Sequence, residues 1–400
     1  MIAKYMSCLA FAMILSPLTQ GMAQDLSSVE MVFNTPGFSG RSTLTIEDKV
    51  IEMIDQAPPR SSIHMAYYEF EQVSVAEALL RASSRGVDVR LILDGNNKRN
   101  GKILGSSIDL LLHGSEQFPA LSCSEEPCVK FCDGPISFKA GKKHFGGSCH
   151  GLVINHNKFI LFSELPGAKN VVVQTSANLT HNQLRNYNDL IIFRDDEVLY
   201  DGFMQYWKSL LKDDTKLTAF KTLVDRNHVK VYFFPRLIGS DPVLKLLKRV
   251  SCQIPGSMVR VSEASFTRKD IAKELQRLSG EGCDVKVIAR LDQRVHSPSK
   301  GVIKALGADM KILPFKGKLE SEKLANTIHT KLMLIDASID GSPERIPVVL
   351  TGSHNLDLFS LKTNDEVLME VHDRAIFQRY LQFWNQILAD AESANIQFVQ

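Results

Sequence analysis

Apolar and polar positions follow two periods along this chain, and the two take turns. Ser62 to Tyr68 has strand character, Ser74 to Arg85 carries its apolar residues at helical spacing, and Val87 to Leu93 is an apolar strand again. The same order returns further on, as Met258 to Val261, the helical stretch Asp270 to Leu278, and Asp284 to Ile288, with Gly86 and Gly282 ahead of the second strands. Strand, helix and strand in this order predict parallel β-α-β units with right-handed crossovers. Each half closes on an aromatic helix, Tyr200 to Leu211 and Phe377 to Leu388. Tyr200, Phe203 and Trp207, like Phe377, Tyr380 and Trp384, recur at the spacing of a face turned to the core.

The repeat can be checked by subtraction. Ser176 and Ser353, Asn178 and Asn355, Asp189 and Glu366, Asp196 and Asp373, and Trp207 and Trp384 all lie 177 apart, so this stretch aligns without a gap. Upstream, His156 and His329, like Lys158 and Lys331, lie 173 apart, which a loop four residues longer in the second half explains. From Gly86 to His156 is 70 residues and from Gly282 to His329 is 47, leaving 23 extra residues in the first half that coincide with a cysteine cluster. This stretch, about 120–150, reads as an insertion. The units predicted are 24–215 and 228–400, joined by a polar connection at 216–227.

Residues 1–23 read as a leader. Lys4 is followed by the mostly apolar Tyr5 to Leu15 and by small residues up to Ala23, with cleavage expected before Gln24. The apolar run is shorter than the roughly 20 residues of a spanning helix, and no later segment qualifies, so no stable membrane span is expected after cleavage. Seven cysteines become six once Cys8 is removed, an even number that argues for disulfides in an exported chain. Cys252 and Cys283 flank elements of one unit and are expected to pair. Cys123, Cys128, Cys132 and Cys149 leave their connectivity open, with a zinc site using His144 or His150 as the competing reading. A composition of 44% apolar and 23% charged residues excludes a disordered chain, and a net charge of +2 neither demands nor forbids a polyanionic partner. Basic runs at Lys98 to Lys102 and Lys139 to Lys143 are candidate phosphate patches or plain solvated loops.

The candidate chemistry lies in two short strands, one holding His156 and Lys158, the other His329 and Lys331. Residues two apart share a strand face, so each histidine and lysine project together from an otherwise apolar segment. A single such pair reads as an exposed strand face. Two pairs, each followed by Ser-x-Asn and then by an acid, read as one duplicated site.

These motifs resemble the signature of the phospholipase D superfamily, His-x-Lys, four residues, Asp, then Gly-Ser-x-Asn and a later acid. The second half matches in full, with His329, Lys331, Asp336, Gly352, Ser353, Asn355 and Glu366. The first has His156, Lys158, Ser176, Asn178 and Asp189, with Ser163 in the place of the Asp and Thr175 in the place of the Gly. The resemblance implies an α/β fold of two units, each a mostly parallel sheet flanked by helices, related by a pseudo-twofold axis. It also implies a monomer with a pseudo-dimeric site.

A phosphodiester repels nucleophiles, so its catalyst must offer cations and N–H donors to the non-bridging oxygens and a nucleophile opposite the leaving group. Lys158 and Lys331 suit the first task, with Asn178, Asn355, Ser176 and Ser353 as further donors. By resemblance, His156 attacks phosphorus to form a phosphohistidine and His329 protonates the leaving oxygen, each tautomer fixed by Asp189 or Glu366. Asp336 either supports the site or braces its strand. Neither metal nor cofactor is called for. The expected function is an exported phosphodiesterase, secreted or periplasmic in a bacterium, acting on phospholipid head groups. A non-specific secreted endonuclease and a catalytically inactive binding protein are the alternatives.

Overall fold

A strand buried on both faces loses its polar alternation, and Lys158–Leu165 and Lys331–Ile339 are of this kind, buried along nearly their whole length. They sit at the centre of two sheets. In this computed structural model the described residues are 28–37, 43–99, 102–124, 127–134, 137–139, 142–144, 146–212, 223–226, 228–236, 239–292, 296–307, 310–314 and 327–393. The stretch 1–23 expected to be a leader, most of the 216–227 connection and parts of both basic runs lie outside them.

The elements of the first unit are β1 (Val29–Asn34), α1 (Thr45–Gln56), β2 (Ser62–Tyr67), α2 (Val73–Ser84), β3 (Asp88–Leu93), α3 (Ser106–His113), β4 (Val129–Phe131), β5 (Lys158–Leu165), β6 (Ala168–Thr175), β7 (Asn186–Phe193) and α4 (Glu197–Leu211). Those of the second are β8 (Leu223–Arg226), β9 (Val229–Phe234), α5 (Pro242–Leu247), β10 (Met258–Glu263), α6 (Lys269–Gly280), β11 (Asp284–Leu291), α7 (Lys300–Leu306), β12 (Met310–Pro314), β13 (Lys331–Ile339), β14 (Ile346–Gly352), α8 (Leu358–Lys362), β15 (Glu366–Val371) and α9 (Arg374–Ser393). The sheets run β1-β7-β6-β5-β2-β3-β4 and β8-β9-β15-β14-β13-β10-β11-β12, one order used twice with an extra edge strand in the second.

The α/β character and the duplication hold, whereas the sheets are mixed rather than mostly parallel. Within the sheets β2, β3 and β4, and likewise β10, β11 and β12, run parallel, and the short strand Thr327–Ile328 pairs parallel with β7 across the units. The strands that carry the motifs form antiparallel meanders, opened in the first unit by the tight turn between β5 and β6. Two boundaries also move. β4 lies inside the stretch read as an insertion yet is the counterpart of β12, and β8 lies inside the polar connection and pairs with β9.

The two units grip each other reciprocally. Apolar residues from the facing sheets gather with α4 and α9 into one central core, while the outer faces are covered by α1, α2 and α3 and by α5, α6 and α7. Phe33 of β1 packs on Tyr380 and Phe383 of α9, and its counterpart Phe233 of β9 packs on Phe203 and Tyr206 of α4. The indoles repeat the symmetry: Trp207 donates to the Met65 carbonyl and Trp384 to that of Val261, both at 2.9 Å. These exchanges are those of a pseudo-twofold pair.

All six cysteines after residue 23 are in disulfides, Cys123–Cys128, Cys132–Cys149 and Cys252–Cys283. No thiolate is left for the alternative zinc site. Among the described residues no helix is long and apolar enough to cross a membrane.

Candidate active site

Each histidine is placed by the other half of the chain. The His156 N–H donates to the Asp365 carbonyl at 2.9 Å, and the His329 N–H to the Tyr187 carbonyl at 3.0 Å. These crossed backbone bonds bring the two His-x-Lys segments together. Lys331 depresses the His156 imidazole electrostatically, and Lys158 and His156 do the same to His329. Burial is the larger cause in both, so both rings are held well below the usual histidine value and are neutral bases.

The ring contacts differ between the halves. His156 Nδ1 donates to Glu366 Oε2 at 2.8 Å, and the other carboxylate oxygen accepts from Ser360 Oγ at 2.8 Å and Asn364 Nδ2 at 3.3 Å. His329 Nδ1 instead faces the Ser176 carbonyl at 3.0 Å and Asn188 Oδ1 at 3.2 Å. The Asn188 amide has one consistent orientation, since its Nδ2 faces the oxygens of Gln183 and Asn186 while its Oδ1 accepts from Ser176 Oγ. One ring is thus held at Nδ1 by a carboxylate and the other by an amide and a carbonyl, with Lys331 Nζ also 3.1 Å from His329 Nδ1 and 3.5 Å from its Nε2.

Asp189 is not brought to an imidazole. Its carboxylate accepts from Thr351 Oγ1 and from the Tyr380 hydroxyl across the unit interface. The cause is a one-residue slip. Ser176 exchanges backbone and hydroxyl bonds with Asp189, whereas Ser353 makes the same bonds with Val367. Val172 and Val349 are 177 apart, while their ladder partners Phe193 and Val371 are 178 apart. The structural counterpart of Glu366 is thus Asn188. The loop before β15 is one residue longer than that before β7, and the connection from β15 to α9 is one residue shorter, which restores the offset downstream.

The lysines are fully buried. Lys158 Nζ donates to the His156 carbonyl at 2.8 Å and lies 5.4 Å from the centre of the Tyr68 ring. Burial lowers it to about 8, against the opposing pull of Glu366, Glu69 and Asp94. Lys331 Nζ donates to the His329 carbonyl at 2.6 Å and reaches that imidazole's edge at 3.1 Å; burial, and then Lys158, lower it well below the lysine range. Burial depresses both lysines while Glu366 opposes that effect at both, so a bound phosphate would favour their charged forms.

The remaining candidates divide. Asn178 donates to Glu69 Oε2 at 2.9 Å, and the Oδ1 atoms of Asn178 and Asn355 are buried without a hydrogen-bond partner. The Ser176 and Ser353 hydroxyls are engaged with the backbone of β7 and β15, so they clasp the strands that carry Asn188 and Glu366. Asp336 sits at the far end of β13, paired with Arg374 at 2.7 Å and Arg345 at 3.6 Å. Ser163, which replaces the signature Asp in the first half, accepts the Ser62 N–H there at 2.8 Å, so that departure falls away from the chemistry.

Sequence reasoning missed Tyr68, Asn188, Glu263 and Asp365. The Tyr68 ring lies tilted against that of His156, 5.1 Å between centres, and Glu263 is buried opposite Lys331 in the β10–β13 ladder. Asp365 accepts backbone N–H groups of Cys149, His150 and Gly151, fastening the disulfide-bonded loop ahead of His156 to the second half. The paired runs ending in Asp189 and Glu366 were the available signal, and they name the segment without naming the residue.

A family model described as "Cardiolipin synthase, PLD-like domain" matches residues 50–211 and 251–388. Among solved structures, phosphatidylserine synthase from Haemophilus influenzae Rd KW20 is similar at 12% identity, covering 90% of this chain and 86% of that one with a TM-score of 0.59. Polyphosphate kinase from Porphyromonas gingivalis is similar at 11% identity with a TM-score of 0.52, covering 90% of this chain, which spans 50% of the kinase's length. Both likenesses show the fold. A search of curated proteins finds no match.

Proposed function

This chain belongs to the phospholipase D-like family, and from that premise we propose that it is an exported phosphodiesterase cleaving phospholipid head groups through a covalent phosphohistidine. The observation that carries the reading is the crossed pair of imidazoles. Each has its Nδ1 against groups of the opposite half, with the buried Lys158 and Lys331 side chains close by. In this reading His156 Nε2 gives its lone pair to phosphorus as the ester P–O bond breaks, with Glu366 stabilising the positive charge that develops on the ring. His329, having taken up a proton, passes it to the departing oxygen. It then removes one from water, which attacks the phosphohistidine and frees His156. Lys158, Lys331 and the two asparagine amides hold the non-bridging oxygens.

Two observations support export and a lipid substrate. Three disulfides fit an oxidising compartment. Leu358 and Phe359, 60% and 55% exposed, stand on α8, whose Ser360 bonds Glu366, and so offer apolar contact to a lipid interface beside the site.

The test offers phosphatidylcholine vesicles and a plasmid to the purified protein side by side. The vesicles are hydrolysed, at a rate that added salt changes little, and His329→Asn lowers that rate by about 10² or more. Plasmid cleavage that falls steeply with salt would replace the lipase by a nuclease, and undiminished turnover by His329→Asn would remove the two-imidazole scheme.

A further inference from the structure

The chain enters its two histidines differently, and the difference involves a disulfide. His329 follows Thr327–Ile328, a short strand paired with β7. His156 follows a loop, 146–155, held between two buried carboxylates. Asp94, just after β3, accepts the N–H groups of Asn96 and Asn155, the latter at 2.7 Å. From the other half, Asp365 accepts the Ser148 hydroxyl at 3.0 Å and the N–H groups of Cys149, His150 and Gly151 at 2.6, 3.1 and 2.8 Å. The Thr363 carbonyl takes the N–H groups of Leu152 and Val153, and Gly151 lies so close to it that a Cβ there would collide.

One of the three disulfides closes on this loop. It joins Cys149 to Cys132, which follows β4 and donates its N–H to the Leu93 carbonyl, and both cysteines are fully buried in the central core. Cys123 and Cys128 are only five residues apart, and Cys252–Cys283 belongs to the outer core of the second unit. Asp365 passes the constraint on to the site. Its own carbonyl takes the His156 N–H, and the next residue, Glu366, holds His156 Nδ1. Two thiol sulfurs stand further apart than bonded ones, so in this packed core reduction displaces Cys149, and Asp365 then loses N–H donors that a buried carboxylate needs.

Resting on the reading of the site as a phosphodiesterase, we infer that Asp365 and the Cys132–Cys149 bond are positioning groups for His156, and that forming this one disulfide switches the enzyme on. The step balances as thiol–disulfide exchange. The thiols of Cys132 and Cys149 give up two protons and two electrons as their S–S bond forms, and a small disulfide such as oxidised glutathione takes them up as its own S–S bond breaks into two thiols. A chain in a reducing compartment lacks the bond and keeps its nucleophile out of place beside Glu366. Burial of both sulfurs then shields the finished bond from reductants in solvent, so the switch is set once, as the chain folds.

The full-length protein is assayed on bis(p-nitrophenyl) phosphate as wild type, as the double variants Cys132→Ser/Cys149→Ser and Cys252→Ser/Cys283→Ser, and as Asp365→Asn, which keeps all three bridges. Cys132→Ser/Cys149→Ser and Asp365→Asn are each expected to lower kcat by about 10²-fold with KM little changed, the cost of misplacing a reacting group by about 1 Å. Cys252→Ser/Cys283→Ser should keep the wild-type kcat, whatever it loses in stability. Wild type refolded in dithiothreitol should be as slow as the first variant and regain its rate with oxidised glutathione. Amide hydrogen exchange gives a readout free of turnover: in the first variant the amides of 149–156 exchange faster while those of 327–332 do not change. A folded Cys132→Ser/Cys149→Ser variant with wild-type kcat overturns the switch, and if that variant does not fold, wild-type kcat in Asp365→Asn overturns it. If the wild type leaves the diester uncleaved, the phosphodiesterase reading itself fails, and unaltered exchange at 149–156 separately overturns the positioning.

Discussion

Asn188, rather than Asp189, is the side chain beside His329, and replacing each in turn separates the two. In Asn188→Asp a carboxylate replaces an amide oxygen 3.2 Å from His329 Nδ1. At that distance two unit charges attract by about 5 kcal/mol at an effective dielectric constant of about 20. Desolvation of the new carboxylate removes much of that, and the net shift for an imidazole gaining an acidic neighbour is about 1–3 pH units. The sign is fixed. Burial and surrounding cations depress the His329 ring, a carboxylate favours its protonated form, and so the acid form persists to higher pH. The kcat/KM limb belonging to His329 is expected to move upward by that amount. Asn188→Ala leaves His329 Nδ1 with the Ser176 carbonyl and the Lys331 contact. Loss of a buried hydrogen bond, about 1–3 kcal/mol, then appears as a roughly 5- to 150-fold fall in kcat/KM. Asp189→Asn should leave the limb in place and lower stability only, because its bonds run to Thr351 and Tyr380. The assay is the pH profile of kcat/KM with denaturant unfolding in parallel. A limb that moves with Asp189→Asn and ignores Asn188→Asp would refute the one-residue slip.

Lys158, lowered to about 8 by burial, is charged below that pH and neutral above it. The free enzyme should therefore lose kcat/KM as pH rises through about 8, and Lys158→Arg, which stays charged, should move that limb out of range even if its rate is lower. A limb unaltered by Lys158→Arg would assign it elsewhere. Residues 24–215 expressed alone contain His156 without Glu366 and without the second His-x-Lys pair, so the fragment should be inactive even when folded. Full activity from it would end the shared-site scheme.

By itself the sequence determined the local elements and the inventory of chemical groups. The two periods of apolar residues locate β2, α2 and β3 and their repeats to within a residue or two at most ends, because amphipathic spacing is a property of neighbours along the chain. The His-x-Lys pairs are legible for the same reason, as is the Cys252–Cys283 bridge within one unit. Tertiary structure alone decided the partnerships. His156 and Glu366 are 210 residues apart, and no spacing rule says that a histidine of one half takes its acid from the other.

The slip that exchanges Asp189 for Asn188 is hidden in the sequence because one residue gained in a loop is lost again before the helix, leaving the offsets at both ends equal. Only the ladder bonds between Ser176 and Asp189 and between Ser353 and Val367 expose it, since a strand's register is set by what lies across from it. Sheet direction belongs with these. Hydrophobic pattern fixes that a strand is buried, while whether its neighbour runs parallel follows from the length of the connection and the surface it must cover.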